Sequence, residues 1–123
     1  MYILSIEKSF CAGHQLRDYD GLCARLHGHN WQVRVEVASH TLDKAGMSID
    51  FEHLESITWS VLKNLDHNHL NDIPPFDTIN PTAENIARYI YEAVQLKLPD
   101  SVKLRCVDIW ETETYKVSYV PEN

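Results

Sequence analysis

The chain has 123 residues, 44% of them hydrophobic and 24% charged, with a formal net charge of -7. That length and balance suit one soluble globular domain spanning residues 1–123, which buries roughly two-thirds of the unfolded chain's surface, and they exclude a disordered, repetitive or low-complexity protein. No stretch reaches the ~20 apolar residues that span a bilayer, Glu7 and Lys8 break any signal-like run in MYILSIEKSF, and 11 basic residues scattered along an acidic chain argue against a nucleic-acid partner.

The expected setting is the cytoplasm. Cys11, Cys23 and Cys106 are too few and too scattered for a disulfide framework, and reduced thiols fit that compartment.

From Tyr2 to His14, the residues Tyr2, Leu4, Ile6, Phe10 and Ala12 alternate with polar neighbours, the period of a half-buried strand broken once by Lys8. Residues 15–26 form a polar connection, long for a hairpin and of the kind that carries function. A second strand is predicted from about His27 to Ser39, with Trp31, Val33, Val35 and Val37 on one face. After a turn at Lys44-Ala45-Gly46, the residues Phe51, Leu54, Ile57, Val61, Leu62 and Leu65 form the apolar stripe of a helix from about Asp50, its N-cap, to Leu65. Asp66 to Ile79, with Pro74-Pro75, reads as a loop. Asn80-Pro81 then supplies an N-cap and first helical residue for a second helix, running to about Lys97. Strands follow at Val102 to Thr112 and Tyr115 to Val120. The order ββααββ predicts an α+β domain, a four-stranded antiparallel sheet with two helices on one face. Its two free edges invite oligomerisation.

Residues two apart in a strand point the same way, so His27 and His29 project from one face. His14 ends the first strand on its apolar side, and antiparallel pairing of the two strands brings its ring to the other two. Three neutral nitrogen ligands with an open fourth position are the pattern of catalytic zinc, whereas structural zinc is usually closed by four protein ligands. An H-x-H pair alone is equally well explained by two surface or hydrogen-bonded histidines. His40, His53 and His69 read as solvated or capping, while His67 differs because Asp66 precedes it.

The strings Phe10-Cys11-Ala12-Gly13-His14 and Cys23-Ala24-Arg25-Leu26-His27-Gly28-His29-Asn30-Trp31 resemble the 6-pyruvoyl tetrahydropterin synthase family, with C-x-x-x-H-G-H the specific element. Asp50-Phe51 with Leu54, Leu65-Asp66-His67 with Leu70-Asn71, Asn80-Pro81-Thr82 with Glu84-Asn85, and Glu111-Thr112 follow in the family's order. The resemblance covers nearly the whole chain. It implies the ββααββ tunnelling fold, in which subunits join edge to edge as a trimeric barrel that stacks into a homo-hexamer. It also implies zinc on His14, His27 and His29, catalytic roles for Cys23, Asp66 and His67, and substrate binding by Glu111, with Thr82 and Glu84 beside it. The implied substrate is a small molecule, 7,8-dihydroneopterin triphosphate.

Those roles are chemically coherent. Zinc on the side-chain oxygens of a dihydropterin acidifies the adjoining C–H and stabilises the charge that develops. Cys23 then serves as base and His67, oriented by Asp66, relays protons. An ionised Glu111 accepts two hydrogen bonds from the pterin ring. The family runs two reactions on this substrate: triphosphate elimination to 6-pyruvoyl tetrahydropterin, and a lyase reaction to 6-carboxy-5,6,7,8-tetrahydropterin with loss of acetaldehyde and triphosphate, on the route to queuosine and other 7-deazapurines. The short chain without an N-terminal extension favours the carboxy product.

A non-catalytic zinc- or pterin-binding module is the contrasting class, disfavoured by the presence of Cys23, Asp66 and His67. An enzyme of this fold acting on purine-like rings would share the glutamate without needing the zinc. Cys11 and Cys106 are expected to be structural. Arg17, Arg25 and Lys116 are candidates by type for the triphosphate, and the turn after Glu111-Thr112 lacks a glycine.

Overall fold

The computed structural model describes residues 1–122. Two long strands, β1 (Tyr2–His14) and β2 (His27–Ser39), pair antiparallel along their whole length, with Tyr2 opposite Ser39 and His14 opposite His27. The period-2 pattern sets which face is covered: Trp31, Val33, Val35 and Val37 have no exposed surface, while Arg34 and Glu36 occupy the other face. Lys8 faces inward opposite Val33. It is tolerated because its stem runs out along the core, placing Nζ 3.4 Å from Glu55 and 5.6 Å above the Trp59 ring.

Helix α1 (Phe51–Leu62) begins where the Asp50 carboxylate accepts the Glu52 N–H at 2.8 Å. Its buried stripe includes Leu54, Ile57, Val61 and Leu62. Phe51, expected on that stripe, is 58% exposed, because at the first helical position it lines a surface groove with Leu42 and Met47.

The next strand, β3 (Asn68–His69), corrects the expected four-stranded antiparallel sheet to five strands. It pairs parallel with Ala12 and Gly13 of β1. Two residues are too few to show a period, and what makes them a strand is long-range. The Cys11 N–H donates to the Asp66 carboxylate and the His67 N–H to the Cys11 carbonyl, so the chain leaving α1 is held along the end of β1.

Helix α2 (Ala83–Gln95) is capped by Thr82, whose hydroxyl accepts the Asn85 N–H at 3.2 Å. The cap expected at Asn80 moves two residues on, because the Asn80 amide is bonded to the backbone of Arg17. The last strands are β4 (Lys103–Thr112), antiparallel to β2, and β5 (Tyr115–Tyr119), antiparallel to β4. The sheet order is β3-β1-β2-β4-β5. Both helices cover the inward face, α1 over β1 and α2 over β4 and β5, where Ile86, Ile90 and Val94 meet Val107 and Ile109 in one core. No helix among the described residues is long and apolar enough to cross a membrane.

The uncovered face carries one buried charge. Asp108 is 3% exposed and takes the Arg34 guanidinium through Nε at 2.9 Å and Nη2 at 2.7 Å, with the Ser118 hydroxyl also donating to it. Burial alone would raise its pKa, but the Ser118 and Arg34 hydrogen bonds outweigh it and hold the carboxyl below its ordinary range. Arg34→Ala leaves this carboxylate buried without its main partner and is expected to cost about 3 kcal/mol at neutral pH. A depressed carboxyl pKa contributes stability above the unfolded value near ~4, lost as pH falls through the folded value. Urea midpoints should therefore differ widely between wild type and Arg34→Ala at neutral pH and converge once Asp108 is protonated. An equal gap at low pH would assign the loss to packing instead.

Candidate metal centre and active site

Strand parity and pairing converge at one end of the sheet. His14 closes β1 on the face of Ile6, Phe10 and Ala12, its cross-strand partner is His27, and Ala12 stands opposite His29. The rings of His14 and His27 are 4.4 Å apart between centroids, and those of His27 and His29 4.8 Å. Trp31 forms the floor, 5.0 Å from His14 and 5.1 Å from His29, and its indole N–H is held by the Ala12 carbonyl at 3.2 Å.

Hydrogen bonds on the far side of two rings define which nitrogen is available. His14 Nδ1 donates to the Pro81 carbonyl at 2.8 Å and His27 Nδ1 to the Arg25 carbonyl at 2.7 Å. A carbonyl only accepts, so each neutral ring carries its proton on Nδ1 and presents a lone pair at Nε2. Burial lowers the pKa of His14, partly opposed by the Pro81 carbonyl, and burial likewise lowers that of His29 against the pull of Glu111. Neutral, ligating imidazoles are the favoured forms.

The Nε2 atoms of His14, His27 and His29 are buried without a hydrogen-bond partner. Leaving a buried polar atom unpaired costs about 1–3 kcal/mol. Three such atoms turned together need something to take their lone pairs. A donor atom from each, with the Glu111 carboxylate, lies within 4.8 Å of the others. The three imidazoles fit a divalent cation of borderline softness with one position left open, and Glu111 lies beside that position.

Glu111 reaches the cluster by strand parity, on the inward face with Val107 and Ile109, at an irregularity in the sheet. Trp110 pairs with Lys116 and Thr112 with Tyr115, so Glu111 is the extra residue of a bulge. Its Oε1 stands 2.9 Å from His29 Nε2 and 3.8 Å from His14 Nε2. The shorter contact meets the distance of a hydrogen bond but not its alignment, leaving both partners free to turn to a ligand. The two-residue turn Glu113-Thr114 contains no left-handed residue, so the missing glycine is not required there.

Asp66 and His67 form a second grouping at the β1 edge. The Cys11 N–H above all, and then His67, lower the Asp66 pKa, and its Oδ2 holds His67 Nδ1 at 2.9 Å. His67 adopts a left-handed backbone (φ 58°) and its side chain is 78% exposed. A concavity of about 450 Å³ lined by Cys11, Gly13, His29, Asn30, His67 and Asn68 runs between this pair and the histidine cluster.

Cys11 was expected to be structural, yet its exposed thiol belongs with Asp66 and His67, donor atoms within 4.8 Å of one another, and it donates to Asn30 Oδ1 at 2.9 Å. Cys106, beside Asp108, is pushed up to about 11 chiefly by burial and is chemically quiet.

Cys23 lies half-buried on the short 3-10 turn Leu22–Ala24, in the connection between β1 and β2. Its sulfur does not join Asp66 and His67 within 4.8 Å, so one chain does not assemble the three residues together. Thr82 uses its hydroxyl to cap α2, and Glu84 is exposed in the first turn. Of the basic candidates, Arg17 is spent on the carbonyls of Phe76 and Ile79, Lys116 lies 5.7 Å over the Trp110 ring and 4.0 Å from Asp108, and Arg25 is exposed.

The family described as 6-pyruvoyl tetrahydropterin synthase matches residues 3–122. The chain is 39% identical to the 6-carboxy-5,6,7,8-tetrahydropterin synthase of Synechocystis, over 97% of this chain and 93% of that protein. It is 37% identical to the dihydroneopterin monophosphate aldolase of Pyrococcus furiosus, over 89% of each. Among solved structures, 6-pyruvoyl tetrahydropterin synthase from Caenorhabditis elegans superposes with a TM-score of 0.84 at 29% identity, covering 99% of this chain and 98% of that one.

Proposed function

The chain belongs to the 6-pyruvoyl tetrahydropterin synthase family, and from that premise we propose that it is a zinc-dependent lyase converting 7,8-dihydroneopterin triphosphate and one water to 6-carboxy-5,6,7,8-tetrahydropterin, acetaldehyde and triphosphate, in queuosine biosynthesis. The observation that carries this reading is the convergence of three buried, unpartnered Nε2 atoms in a chain so similar to carboxytetrahydropterin synthases.

His14, His27 and His29 hold the metal. When bound, zinc supplies Lewis acidity toward the oxygens of the pterin side chain. Glu111, on the inward face beside His29 and His14, anchors the ring through its N–H groups, with Thr82 and Glu84 nearby in sequence to the Pro81 carbonyl that orients His14. Cys23 removes the side-chain proton, and His67, oriented by Asp66, returns it to the leaving fragment. Trp31, fully buried beneath His14 and His29, holds those two rings in place. Exposed Arg25, next to the metal ligands, is the cation left for the triphosphate.

The separation of Cys23 from Asp66 and His67 within one chain supports a homo-oligomer in which a second copy brings its Asp66–His67 pair to this chain's Cys23. The long outer edge of β1 is paired only at Ala12 and Gly13, β5 is the opposite edge, and Tyr19, Leu22 and Leu26 around Cys23 are more than half exposed. Edge-to-edge trimers stacked as a homo-hexamer cover these surfaces. The setting is the cytoplasm, where the free thiols stay reduced.

Similarity to an aldolase gives a second reaction to test, retro-aldol cleavage of the same side chain. Incubation with 7,8-dihydroneopterin triphosphate and mass analysis of the products separates the outcomes. Acetaldehyde, inorganic triphosphate and the carboxypterin are expected. A hydroxymethyl pterin with a phosphorylated two-carbon aldehyde would replace the lyase by an aldolase. A pyruvoyl product would move the chain to triphosphate elimination alone, and no conversion of either the triphosphate or the monophosphate would make it a binding module.

A further inference from the structure

We propose that Asn71 and Asn80 are positioning residues for Cys23, an inference that rests on Cys23 acting as the base of the lyase. Directly after His14 the chain runs through Gln15, Leu16 and Arg17, and each of the three has its backbone taken up. The Gln15 N–H donates to Asn71 Oδ1 at 2.8 Å, and its carbonyl accepts from Asn71 Nδ2 at 2.9 Å. Arg17 repeats the pattern with Asn80, at 2.8 Å in both directions. Between them the Leu16 N–H donates to the Cys23 carbonyl at 2.9 Å.

Successive residues therefore bond on opposite sides, as in a strand between two neighbours, except that one neighbour consists of two side-chain amides. An asparagine carries donor and acceptor on one planar group and so can stand in for a backbone partner.

The arrangement passes the position of the fold to the thiol. Asn71 sits on the 3-10 turn Leu70–Asp72, whose Leu70 is fully buried, and the Asn80 carbonyl accepts from Asn85 Nδ2 at 2.9 Å, in the first turn of α2. The same stretch supplies the Pro81 carbonyl that orients His14. Metal ligand and base are thus both referred to residues 70–85. Beyond the two amides, the Arg17 guanidinium on the Phe76 and Ile79 carbonyls holds the start of the loop, while its far end is open: Leu22, next to Cys23, is 79% exposed. Without the amides, Leu16 and the carbonyl it holds are released to the mobility of an open loop.

An ordinary stabilising role predicts loss of fold, metal and activity together. Positioning predicts a separate loss. Asn71 is the cleaner probe, because its side chain bonds Gln15 and nothing else among the described residues. In the purified metal-loaded protein, Asn71→Ala should retain stoichiometric metal, a cooperative melt and KM within about twofold, while kcat falls roughly 100-fold, the scale of a ~1 Å misplacement. Asn71→Asp, which keeps the acceptor but sets a carboxylate oxygen against the Gln15 carbonyl, should not restore it. Asn80→Ala should behave alike. Carboxamidomethylation by iodoacetamide, read by peptide mass spectrometry, should change rate several-fold at Cys23 and not at Cys106.

Wild-type kcat with unchanged Cys23 alkylation in Asn71→Ala overturns the proposal, as does loss of metal in step with kcat. A Cys23→Ala protein that still turns over defeats the base assignment instead. The alkylation rates then still decide whether the asparagines place Cys23.

Discussion

Purified His27→Ala is expected to contain no stoichiometric metal and to have no measurable turnover, while remaining folded. Two imidazole ligands would be left, one of them, His14, still oriented by Pro81. Loss of an outer-shell partner alone typically lowers metal affinity about 10–100-fold, so removal of a ligand should exceed that range. The fold should survive, because His27 is only half-buried at the last pair of the β1–β2 ladder and the covered core lies beyond Trp31. Metal analysis beside a thermal melt is the measurement. Stoichiometric metal in the variant would remove His27 from the ligand set.

The second large effect belongs to Cys23. Cys23→Ala should keep the metal and bind the dihydropterin, yet lose about 10²–10⁴-fold in kcat, the range associated with a positioned acid or base. Cys106→Ala supplies the contrast. Its thiol is raised to about 11, lies beside Asp108 on the uncovered face, and should be dispensable for turnover. Turnover near wild type in Cys23→Ala would pass the base role to another group, with His67 the first to examine.

Parity made much of this legible before any coordinates. Alternation in Tyr2–His14 and His27–Ser39 predicts the inward face, and hairpin pairing then predicts that the three imidazoles meet, because those are local properties of a strand. Asp50 as a cap is local in the same sense. What escaped the sequence depends on distant partners. Asn68 and His69 become a strand only because Cys11 grips Asp66 and His67. Asn80 reads as a cap until Arg17 occupies its amide, and Arg17 reads as a phosphate ligand until the Phe76 and Ile79 carbonyls claim it. The Pro81 contact to His14 spans 67 residues, and no spacing rule encodes it. The bulge at Glu111 depends on the register of β5, which composition does not reveal, although parity with Val107 and Ile109 already places Glu111 on the inward face.

The pairing of His14 with His27 also bears on how the chain finds its native state. A slip of one residue between β1 and β2 would turn one strand's apolar side chains outward and carry a ligand away from the others. An ion held by all three imidazoles would bind one strand alignment alone and would favour it by RT ln(1 + [L]/Kd), about 4 kcal/mol at a thousandfold excess over Kd. Cofactor loading would then double as a check on the hairpin, since misaligned chains would gain nothing from the ion and aligned ones would be drawn out of the folding ensemble by mass action.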